Sequence, residues 1–487
     1  MTALRIAELM PECAHLGGLC IEGLRLDSRR IQAGEAFVAL AGAQHHGLQF
    51  AAAAAQRGAV LVLAEPGATA PALDIPVVVV PALRARLATL ALAFSQLDRL
   101  GPEVIGVTGT NGKTSTVQLI AQALTLLGQT AGTIGTLGAG LYAQHTAGER
   151  TTPDLLEVHR SLREMREQGA ATVAMEVSSH ALDQGRVEGV PIRVAVFTNL
   201  TRDHLDYHGS FAAYAAAKAS LFTLDSLRAA VVNIDDPQGS LIAGGLPAGL
   251  DCWTVSALGQ VAARVAASDL QMRASGLVFT MRIGQVTGVI DSPLLGRFNV
   301  DNLLTVAAVL GCLGVSAEAV LALLPRLQPI RGRMNRFGGS TRAPLVVVDY
   351  AHTPDALAQA LHSLRGHTTG RLICVFGCGG ERDRGKRPQM ARIAEMAADQ
   401  VIVTDDNPRG EDGQAIVAEI VAGFERPEVV HIQRDRARAI AQAIEMARPG
   451  DTVLIAGKGH EAWQEIAGER LPFDDALHAA NLLGVAA

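Results

Sequence analysis

A glycine-rich segment that ends in Lys-Thr follows the apolar stretch Val104–Val107. The segment Thr108–Thr114 has the sequence T-G-T-N-G-K-T, and apolar residues recur after it at helical spacing. A strand, a glycine-rich turn and a helix N-terminus together present backbone N–H groups to a phosphate. Lys113 would neutralise terminal phosphate oxygens, and the Thr114 hydroxyl would bind Mg²⁺. The alternative is an ordinary strand-to-helix turn, but packing would then give no reason for a Lys-Thr pair at the start of the helix. We therefore predict a phosphate loop, a variant one because the generic pattern has Gly where Val107 stands.

Acidic and imidazole side chains follow two further apolar stretches. Glu176 stands near the end of the predicted strand Ala171–Val177, and Asp203–His208 comes shortly after the predicted strand Val194–Phe197. In an α/β domain that binds phosphate, an acid at a strand end is explained by a Mg²⁺ ligand. The second segment is rich in ligand-type side chains, although polar loops are often only solvated. We predict a magnesium site that includes Glu176.

Lys218 is predicted to lie on the apolar face of a helix, Phe211–Phe222. The residues of that face are spaced by three and four: Phe211, Tyr214, Lys218, Leu221 and Phe222. A lysine on an apolar stripe is unusual. One interpretation is that its side chain extends to the surface. The other is an amine whose pKa is lowered by burial, which leaves it neutral and reactive toward CO₂, so that its carbamate becomes a ligand for a second Mg²⁺. The residues alone leave both open.

The elements that must position these residues belong to an α/β fold. A chain of 487 residues predicts roughly three domains, which we place at 1–100, 101–331 and 332–487, with Gly101-Pro102 as the first boundary. Strands alternate with helices through the central part, as in a parallel sheet, with hairpin strands inserted at about Leu270–Ile290. The predicted strands are Ala36–Leu40, Ala59–Ala64 and Pro76–Val80 in the first domain, and Leu345–Val348, Leu372–Phe376, Val401–Thr404, Val429–Ile432 and Thr452–Ala456 in the last.

Composition and charge exclude several classes of protein. Hydrophobic residues make up 49% and charged residues 18%, as in a globular protein. The net charge of −6 is wrong for a general nucleic-acid binder. The Cys374–Cys378 pair lies in an apolar stretch and is predicted to pack in a core. We find neither a signal peptide nor a membrane span, and we expect a reducing, cytoplasmic setting.

Four segments, in this order along the chain, resemble the motifs of the Mur ligases: Gly109–Thr114, Met175–His180, Asp203–His208 and Phe298–Asn302. The resemblance spans almost the whole chain. It implies an N-terminal UDP-binding domain, a central ATPase domain with a parallel sheet and a phosphate loop, and a C-terminal Rossmann-like domain. It also implies that Lys218 is carbamylated.

The resemblance assigns nucleotide, metal and acceptor residues position by position. ATP would be held by Gly109, Thr110, Asn111, Gly112, Lys113, Thr114 and Ser115, with Asn302, Arg333 and Asp349 at the adenosine. Two Mg²⁺ ions would be bound by Thr114, Glu176, His204 and the Lys218 carbamate. The nucleotide-sugar peptide would meet Leu26, Ser28, Ala43, Gln44 and His45 near the uridine, and Thr151, Thr152, Ser178, Gln184 and Arg186 along the rest. Some relatives have Asn where this chain has Arg150, which puts one sugar or peptide contact in question.

The segment Asp406-Asn407-Pro408-Arg409 resembles the motif of the members that add diaminopimelate, whereas the lysine-adding members differ there. Diaminopimelate carries a second carboxylate and amine, and an Arg can hold a carboxylate bidentately. Arg382 would act like Arg409, while Gly457 and Glu461 would accept the far ammonium group. An ordinary Asn-Pro turn is the alternative for this segment.

The implied activity is ATP-dependent amide ligation, in which meso-diaminopimelate is added to the D-glutamyl γ-carboxylate of UDP-MurNAc-L-Ala-D-Glu through an acyl phosphate. We expect a monomer that binds no nucleic acid. Three alternatives share the first motifs: a regulatory P-loop NTPase, a small-molecule kinase and a folate-type polyglutamyl ligase. The first two need no diaminopimelate pocket at Arg382 and Arg409. The segment Leu26–Arg29 and the loop after it argue against the third.

Overall fold

The computed structural model of the chain describes residues 3–42, 45–146, 148 and 150–485. Ala43 and Gln44, which the resemblance places near the uridine, lie outside the described residues. The chain divides into two compact units. The first holds the described residues up to Val232 together with Asp236–Cys252, and the second holds Asn233–Asp235 and the described residues from Trp253 onward.

The first unit begins with a small parallel sheet. The strands in this part are β1 (Leu4–Arg5), β2 (Cys20–Ile21), β3 (Leu24–Arg25), β4 (Ala36–Ala39), β5 (Leu61–Ala64) and β6 (Val77–Val79). The helices are α1 (Ile6–Leu9), α2 (Ala51–Gln56), α3 (Leu83–Ser95) and α4 (Leu97–Leu100). Strands β3 to β6 pair in sequence order, all parallel. Every residue of β4 and β5 is buried, which explains their unbroken apolar sequence. The three strands predicted here are confirmed, each with slightly shorter bounds.

The rest of the first unit is built on a larger sheet. Its strands are β7 (Glu103–Thr108), β8 (Ala131–Gly135), β9 (Gly138–Leu141), β10 (Thr172–Glu176), β11 (Ile192–Phe197) and β12 (Ala229–Asn233). Its helices are α5 (Lys113–Leu126), α6 (Leu155–Glu167), α7 (Ser179–Asp183), α8 (Leu205–His208), α9 (Phe211–Ala219) and α10 (Pro237–Gly245). The order is β12-β11-β7-β10-β8-β9, parallel except for the β8–β9 pair.

The position of β7 in this sheet determines where the predicted site forms. Glu176 of β10 pairs with Val107, and Phe197 of β11 pairs with Thr108. The carboxyl ends of three neighbouring parallel strands therefore meet at one edge, where ligands bind in open α/β sheets. The phosphate loop, Glu176 and the segment after Phe197 are brought to that edge.

Strand β13 (Asp251–Ser256) begins in the first unit and, from Trp253, continues in the second. The second unit then contains strands β14 (Val265–Arg273), β15 (Gly276–Ile283) and β16 (Val286–Ser292), followed by α11 (Phe298–Cys312) and α12 (Ala317–Leu323). Strands β14, β15 and β16 form an antiparallel meander. Gly284, in the turn between β15 and β16, has a φ of 59°, which favours glycine. The hairpin predicted at Leu270–Ile290 is confirmed, and it is longer than expected.

The last part of the second unit contains a six-stranded sheet and a separate hairpin. Its strands are β17 (Asn335–Ser340), β18 (Ala343–Asp349), β19 (Leu372–Phe376), β20 (Gln400–Val403), β21 (His431–Ile432), β22 (Thr452–Ala456), β23 (Trp463–Ile466) and β24 (Glu469–Pro472). Its helices are α13 (Pro354–Arg365), α14 (Lys386–Ala397), α15 (Gly413–Val421), α16 (Arg436–Met446) and α17 (Asp475–Leu483). The order is β17-β18-β22-β19-β20-β21, and only the β17–β18 pair is antiparallel.

Four of the five strands predicted here are confirmed. The prediction Val429–Ile432 was too long, because Pro427–Val429 forms a 3₁₀ turn and pairing begins at His431. Cys374 and Cys378 are buried with free thiols, as expected of core residues. Among the described residues, no helix is both long and apolar enough to cross a membrane.

Candidate active site

The predicted phosphate loop lies between β7 and α5. Gly109 has a φ of 147°, and a Cβ built on it would stand 1.9 Å from Thr198 Oγ1, so only glycine fits there. Lys113 Nζ donates to the carbonyl oxygens of Gly109 and Thr110, each at 2.8 Å. The ammonium group is thereby held against the loop. Ser115 lies in the first turn of α5.

Two residues after β11 support this loop. The Thr198 hydroxyl donates to the Asn111 carbonyl at 2.7 Å, and Asn111 N–H donates to Asn199 Oδ1 at 2.9 Å. Thr110 N–H also donates to the Asn199 carbonyl at 2.8 Å. Neither residue was predicted from the sequence to have a role. The available signal was their position at the end of a predicted strand.

Glu176 and Thr114 are brought together as predicted. The Glu176 side chain is buried, and its Oε2 accepts from the Thr114 hydroxyl at 3.0 Å. Oε1 accepts from the backbone N–H of Thr136 at 2.7 Å. A Cβ on Gly135 would come within 2.2 Å of this carboxylate, so the glycine makes room for it. Thr136 was missed by sequence analysis because nothing in its local sequence marks it.

Lys218 is only 1% exposed, so the interpretation that it extends to the surface is wrong. Its Nζ donates to the Gly109 carbonyl at 2.7 Å and lies 4.6 Å from the centre of the Tyr214 ring. Burial, followed by the nearby Lys113 charge, lowers the pKa of the Lys218 amine to about 6. Two details of the predicted helix Phe211–Phe222 are wrong. Phe211, predicted on the apolar face, is 47% exposed, and the helix ends at Ala219, where a 3₁₀ turn follows.

His204 lies at the start of α8 in a left-handed conformation, with a φ of 50°. Its backbone N–H donates to Asp203 Oδ1 at 2.9 Å, and its Nε2 is 3.4 Å from Asp203 Oδ2. Its ring packs against that of His180, with centroids 4.8 Å apart, and lies 6.1 Å from that of Tyr214. Partial burial, followed by the charges of His204 and His208, lowers the pKa of His180.

Four of the predicted acceptor residues form one hydrogen-bonded group beside Glu176. The Thr152 hydroxyl donates to the Glu176 carbonyl at 2.8 Å and accepts from Ser178 N–H at 3.1 Å. Arg186 donates to the Thr152 carbonyl at 2.8 Å and to Gln184 Oε1 at 2.5 Å. Burial, followed by the charge of Arg150, lowers the pKa of Arg186. Thr151, the fifth predicted residue, accepts a hydrogen bond from Thr136 at 3.3 Å.

The described residues among those predicted near the uridine follow strands of the small parallel sheet. Leu26 and Ser28 come directly after β3, and His45 follows β4. Ser28 is buried, whereas His45 is exposed and its carbonyl accepts from Gly42 N–H at 2.9 Å. Because β3 and β4 are parallel, these residues come after the same edge of the sheet.

The predicted adenosine residues lie in the second unit. Asn302 is buried in α11 and donates to Asn299 Oδ1 at 2.7 Å. Asp349, at the end of β18, accepts from Met334 N–H at 2.8 Å, and burial raises its pKa although Arg333 opposes this. Among the described residues, Arg333 Nε is buried without a hydrogen-bond partner. Its guanidinium lies 5.1 Å from the centre of the Tyr350 ring.

The residues predicted to bind diaminopimelate follow three strands of the six-stranded sheet. Asn407, after β20, donates from Nδ2 to Glu461 Oε2 at 2.8 Å. Gly457, directly after β22, has a φ of 113°, and a Cβ there would lie 2.5 Å from Asp406 Oδ2. The buried Asp406 carboxyl has a pKa raised by burial, against the charges of Arg436 and Lys458.

Arg409 and Arg382 complete this group. Arg409 has a φ of 54° and donates from Nη1 to the Gly380 carbonyl at 2.7 Å. Pro408 is buried just before it. Arg382 is exposed on the loop after β19. A Cβ built on Gly379 would lie 2.8 Å from Arg409 Nη1 and 3.8 Å from Arg382 Cγ, so both arginines border one glycine.

Comparison with known proteins assigns the chain to a family. Three family models match it in chain order: the Mur ligase family catalytic domain at residues 20–95, the Mur ligase middle domain at 107–310 and the Mur ligase glutamate ligase domain at 332–459. A UDP-N-acetylmuramoyl-L-alanyl-D-glutamate–2,6-diaminopimelate ligase of Xanthomonas campestris is 58% identical over 485 residues, which cover 99% of this chain and 97% of the relative. The chain belongs to the Mur ligase family.

Other Mur ligases agree with this assignment. A relative in Pseudomonas aeruginosa with the same name is 47% identical over 482 residues, which cover 99% of this chain and 98% of the relative. A solved structure of a ligase of that name is 40% identical, with a TM-score of 0.69, and covers 96% of this chain and 95% of its own. The resemblance to the Mur ligases and their three-domain α/β fold are therefore confirmed.

Proposed function

We propose that this Mur ligase adds meso-2,6-diaminopimelate to the D-glutamyl γ-carboxylate of UDP-MurNAc-L-Ala-D-Glu, at the expense of ATP, in the synthesis of the peptidoglycan precursor. The observation that carries the proposal is the group after β19, β20 and β22. There Asn407 donates to the Glu461 carboxylate at 2.8 Å, and Arg409, of opposite charge to Glu461, follows Asn407 by two residues. Diaminopimelate ends in a carboxylate and an ammonium, so a pocket for it needs both a cation and an anion. The relatives described above bear the name of this activity.

The phosphates of ATP would bind over Gly109–Ser115. Backbone N–H groups of the loop and the N-terminus of α5 face an anion there. Lys113 would exchange its contacts with the loop carbonyls for phosphate oxygens. Asn302, Arg333 and Asp349 would meet the adenosine. Arg333 supports this, because its buried Nε has no acceptor within the described part of the chain, and a buried donor without an acceptor is costly.

The residues at the phosphate loop could supply some of the ligands of a magnesium ion. Among the described residues, no three His, Cys, Asp or Glu side chains are grouped as a metal site. The Thr114 hydroxyl and Glu176 carboxylate, 3.0 Å apart, are oxygen donors of the kind Mg²⁺ prefers, with phosphate oxygens as the natural complement. We assign His204 and the Lys218 carbamate to a second ion, because both residues lie beside the Tyr214 ring; the carbamate would supply the oxygen donors that Mg²⁺ prefers over an imidazole. Bound Mg²⁺ would offset the negative charge on the transferred phosphoryl group.

The environment of Lys218 supports carbamylation. At neutral pH an amine with a pKa of about 6 is largely unprotonated, and its lone pair can attack CO₂. Loss of one proton then gives an anionic carbamate, which the positive charge of nearby Lys113 attracts. The buried position would protect the carbamate from water.

The reaction has two steps. An oxygen of the D-glutamyl γ-carboxylate attacks the γ-phosphorus of ATP, and ADP leaves, giving an acyl phosphate. The unprotonated amine of diaminopimelate then attacks the acyl carbon, the C–O bond to phosphate breaks, and the amine proton passes to solvent. Lys113 stabilises the charge of the first transition state. Thr151, Thr152, Ser178, Gln184 and Arg186 would orient the acceptor, with Leu26, Ser28, Ala43, Gln44 and His45 at its uridine end.

Isotope transfer tests the reaction class. UDP-MurNAc-L-Ala-D-Glu labelled with ¹⁸O in the γ-carboxylate is incubated with ATP, Mg²⁺ and diaminopimelate. An amide ligase releases phosphate that carries one ¹⁸O. A regulatory NTPase releases unlabelled phosphate, and a kinase retains the label in a phosphorylated product. Either of these results would overturn the proposal.

Three further features are proposed with this function. We place the domain boundaries at residues 100/101 and 331/332. We also propose a monomer, in a cytoplasmic setting where its nucleotide substrates are made. Sedimentation of the purified chain would test the monomeric state, since a dimer would have twice the mass.

A further inference from the structure

Lys458 is a fully buried cation that the proposed reaction does not use. It follows Gly457 after β22, and its side chain is 0% exposed. Charged side chains are almost never fully buried unless they are paired. Its surroundings therefore indicate what it does.

The ammonium group of Lys458 contacts three acceptors from three segments. Nζ lies 3.0 Å from Asn407 Oδ1, 3.3 Å from Glu461 Oε2 and 2.6 Å from the Trp463 carbonyl. An ammonium group has three N–H donors, so all are used. Lys458 thus joins the loop after β20, the loop after β22 and the hairpin β23–β24.

These contacts determine the orientation of Asn407 and Glu461. Asn407 Oδ1 accepts from Lys458 and also from Glu465 N–H at 2.9 Å, so its Nδ2 must face Glu461 Oε2, 2.8 Å away. Glu461 Oε2 therefore receives two donors from the protein. The other carboxylate oxygen accepts no hydrogen bond from the part of the chain that the structure describes, and we infer that it is available to a ligand.

The same hairpin holds the backbone of Arg409. Arg409 N–H donates to the Glu465 carbonyl at 2.9 Å, and Ala467 N–H donates to the Arg409 carbonyl at 2.8 Å. These bonds retain Arg409 in its left-handed conformation, which is unfavourable for a residue with a Cβ. Lys458, bound to the first residue of β23, fixes the start of this hairpin.

We propose that Lys458 is the positioning residue for the far end of the amino-acid substrate. It orients the Glu461 carboxylate to accept hydrogen bonds from an ammonium group of the substrate. Through the hairpin β23–β24, it also holds Arg409 where its guanidinium can bind a carboxylate of the substrate. It touches neither group of the substrate itself. This inference rests on the proposed diaminopimelate function and identifies the residue that sets its specificity pocket.

The test compares Lys458→Met with a control, Arg371→Met, in the purified full chain. Arg371 pairs with Asp451 at 2.7 Å where β19 and β22 begin, at the opposite edge of the sheet. Lys458→Met should raise the KM for diaminopimelate tenfold or more, while the KM values for ATP and the UDP-linked acceptor change less than twofold. Arg371→Met should lower the thermal midpoint without this selective change. Equal losses for all three substrates in Lys458→Met would show a merely structural role and overturn the proposal.

A double-mutant cycle tests the route through Glu461. If Lys458 acts by holding that carboxylate, Lys458→Met should weaken diaminopimelate binding much less in a Glu461→Gln background, and additive effects would contradict this. Lys458→Gln, which keeps two N–H donors without the charge, replaces Lys458→Met if the latter does not fold. The same selective rise in the KM for diaminopimelate is expected.

Failure of the proposed function is distinguishable from failure of this inference, because the unmodified chain would then not use diaminopimelate at all.

Discussion

The buried amine of Lys218 donates a hydrogen bond to the carbonyl oxygen of Gly109, 2.7 Å away, in the phosphate loop. Gly109 also receives a hydrogen bond from Lys113. Two lysines therefore converge on one carbonyl, and burial, followed by the Lys113 charge, lowers the pKa of the Lys218 amine to about 6. This places a neutral, nucleophilic amine beside the cation that is proposed to bind phosphate.

Replacement of Lys218 by Ala should abolish most of the activity and leave the fold intact. Removal of one group that stabilises charge in the transition state lowers kcat by a factor on the order of 10²–10³. Because the missing group is a carboxylate, acetate should restore part of the activity, whereas chloride at equal ionic strength should not. Steady-state rates with each salt measure this. Near-normal activity of the variant without added salt would contradict a carbamate at this position.

Replacement of Glu176 by Gln should uncouple nucleotide binding from the metal response. The amide has the same shape and can still accept from Thr136, but it loses the charge that attracts Mg²⁺. ATP should bind through Lys113 and the loop N–H groups, while Mg²⁺-dependent turnover falls by roughly a hundredfold or more. Titration of activity with Mg²⁺ checks this. A variant with an unchanged Mg²⁺ response would show that Glu176 is not a ligand.

Replacement of Arg409 by Ala should affect one substrate only. The second carboxylate of diaminopimelate would lose a charge-assisted bond worth about 1.5–3 kcal/mol, which corresponds to roughly a ten- to hundredfold loss in kcat/KM. The KM values for ATP and the acceptor should change little, and lysine should remain a poor substrate.

Arg470→Ala is the matched control for Arg409→Ala. Arg470 lies 3.8 Å from Glu465 in the same hairpin, but its side chain is 67% exposed. It should therefore retain normal kinetics with diaminopimelate. Equal losses in both variants would assign the effect to the hairpin rather than to the Arg409 guanidinium.

The pH dependence of stability should include a contribution from His460. Burial, followed by the charges of Arg333 and Arg331, lowers its pKa from 6.5 to about 4. The unfolded chain then binds more protons between these values, so this contribution is present above pH 6.5 and is lost as the pH falls toward 4. Urea unfolding of the chain and of His460→Asn should show a stability difference that changes across this window. A constant difference would mean that His460 titrates normally.

The sequence predicted those features that have a local pattern. The phosphate loop follows from a strand, a glycine-rich turn and Lys-Thr. The neighbours of Lys218 on the helix made its burial one of two interpretations, and the structure, in which the residue is 1% exposed, decides between them. Thr136, Asn199 and Lys458 were missed because their roles depend on contacts between distant segments, which periodicity does not report. Strand β17 and the hairpin β23–β24 were missed for a related reason, since short strands with mixed polarity resemble loops until their partners are known.

The most direct test of the account is ADP release by the purified chain with UDP-MurNAc-L-Ala-D-Glu, ATP and Mg²⁺, with either diaminopimelate or lysine as the amino acid. The account predicts rapid ADP release with diaminopimelate, together with an equal amount of amide product, and little of either with lysine. Equal rates with both amino acids, or ADP release without amide product, would contradict it.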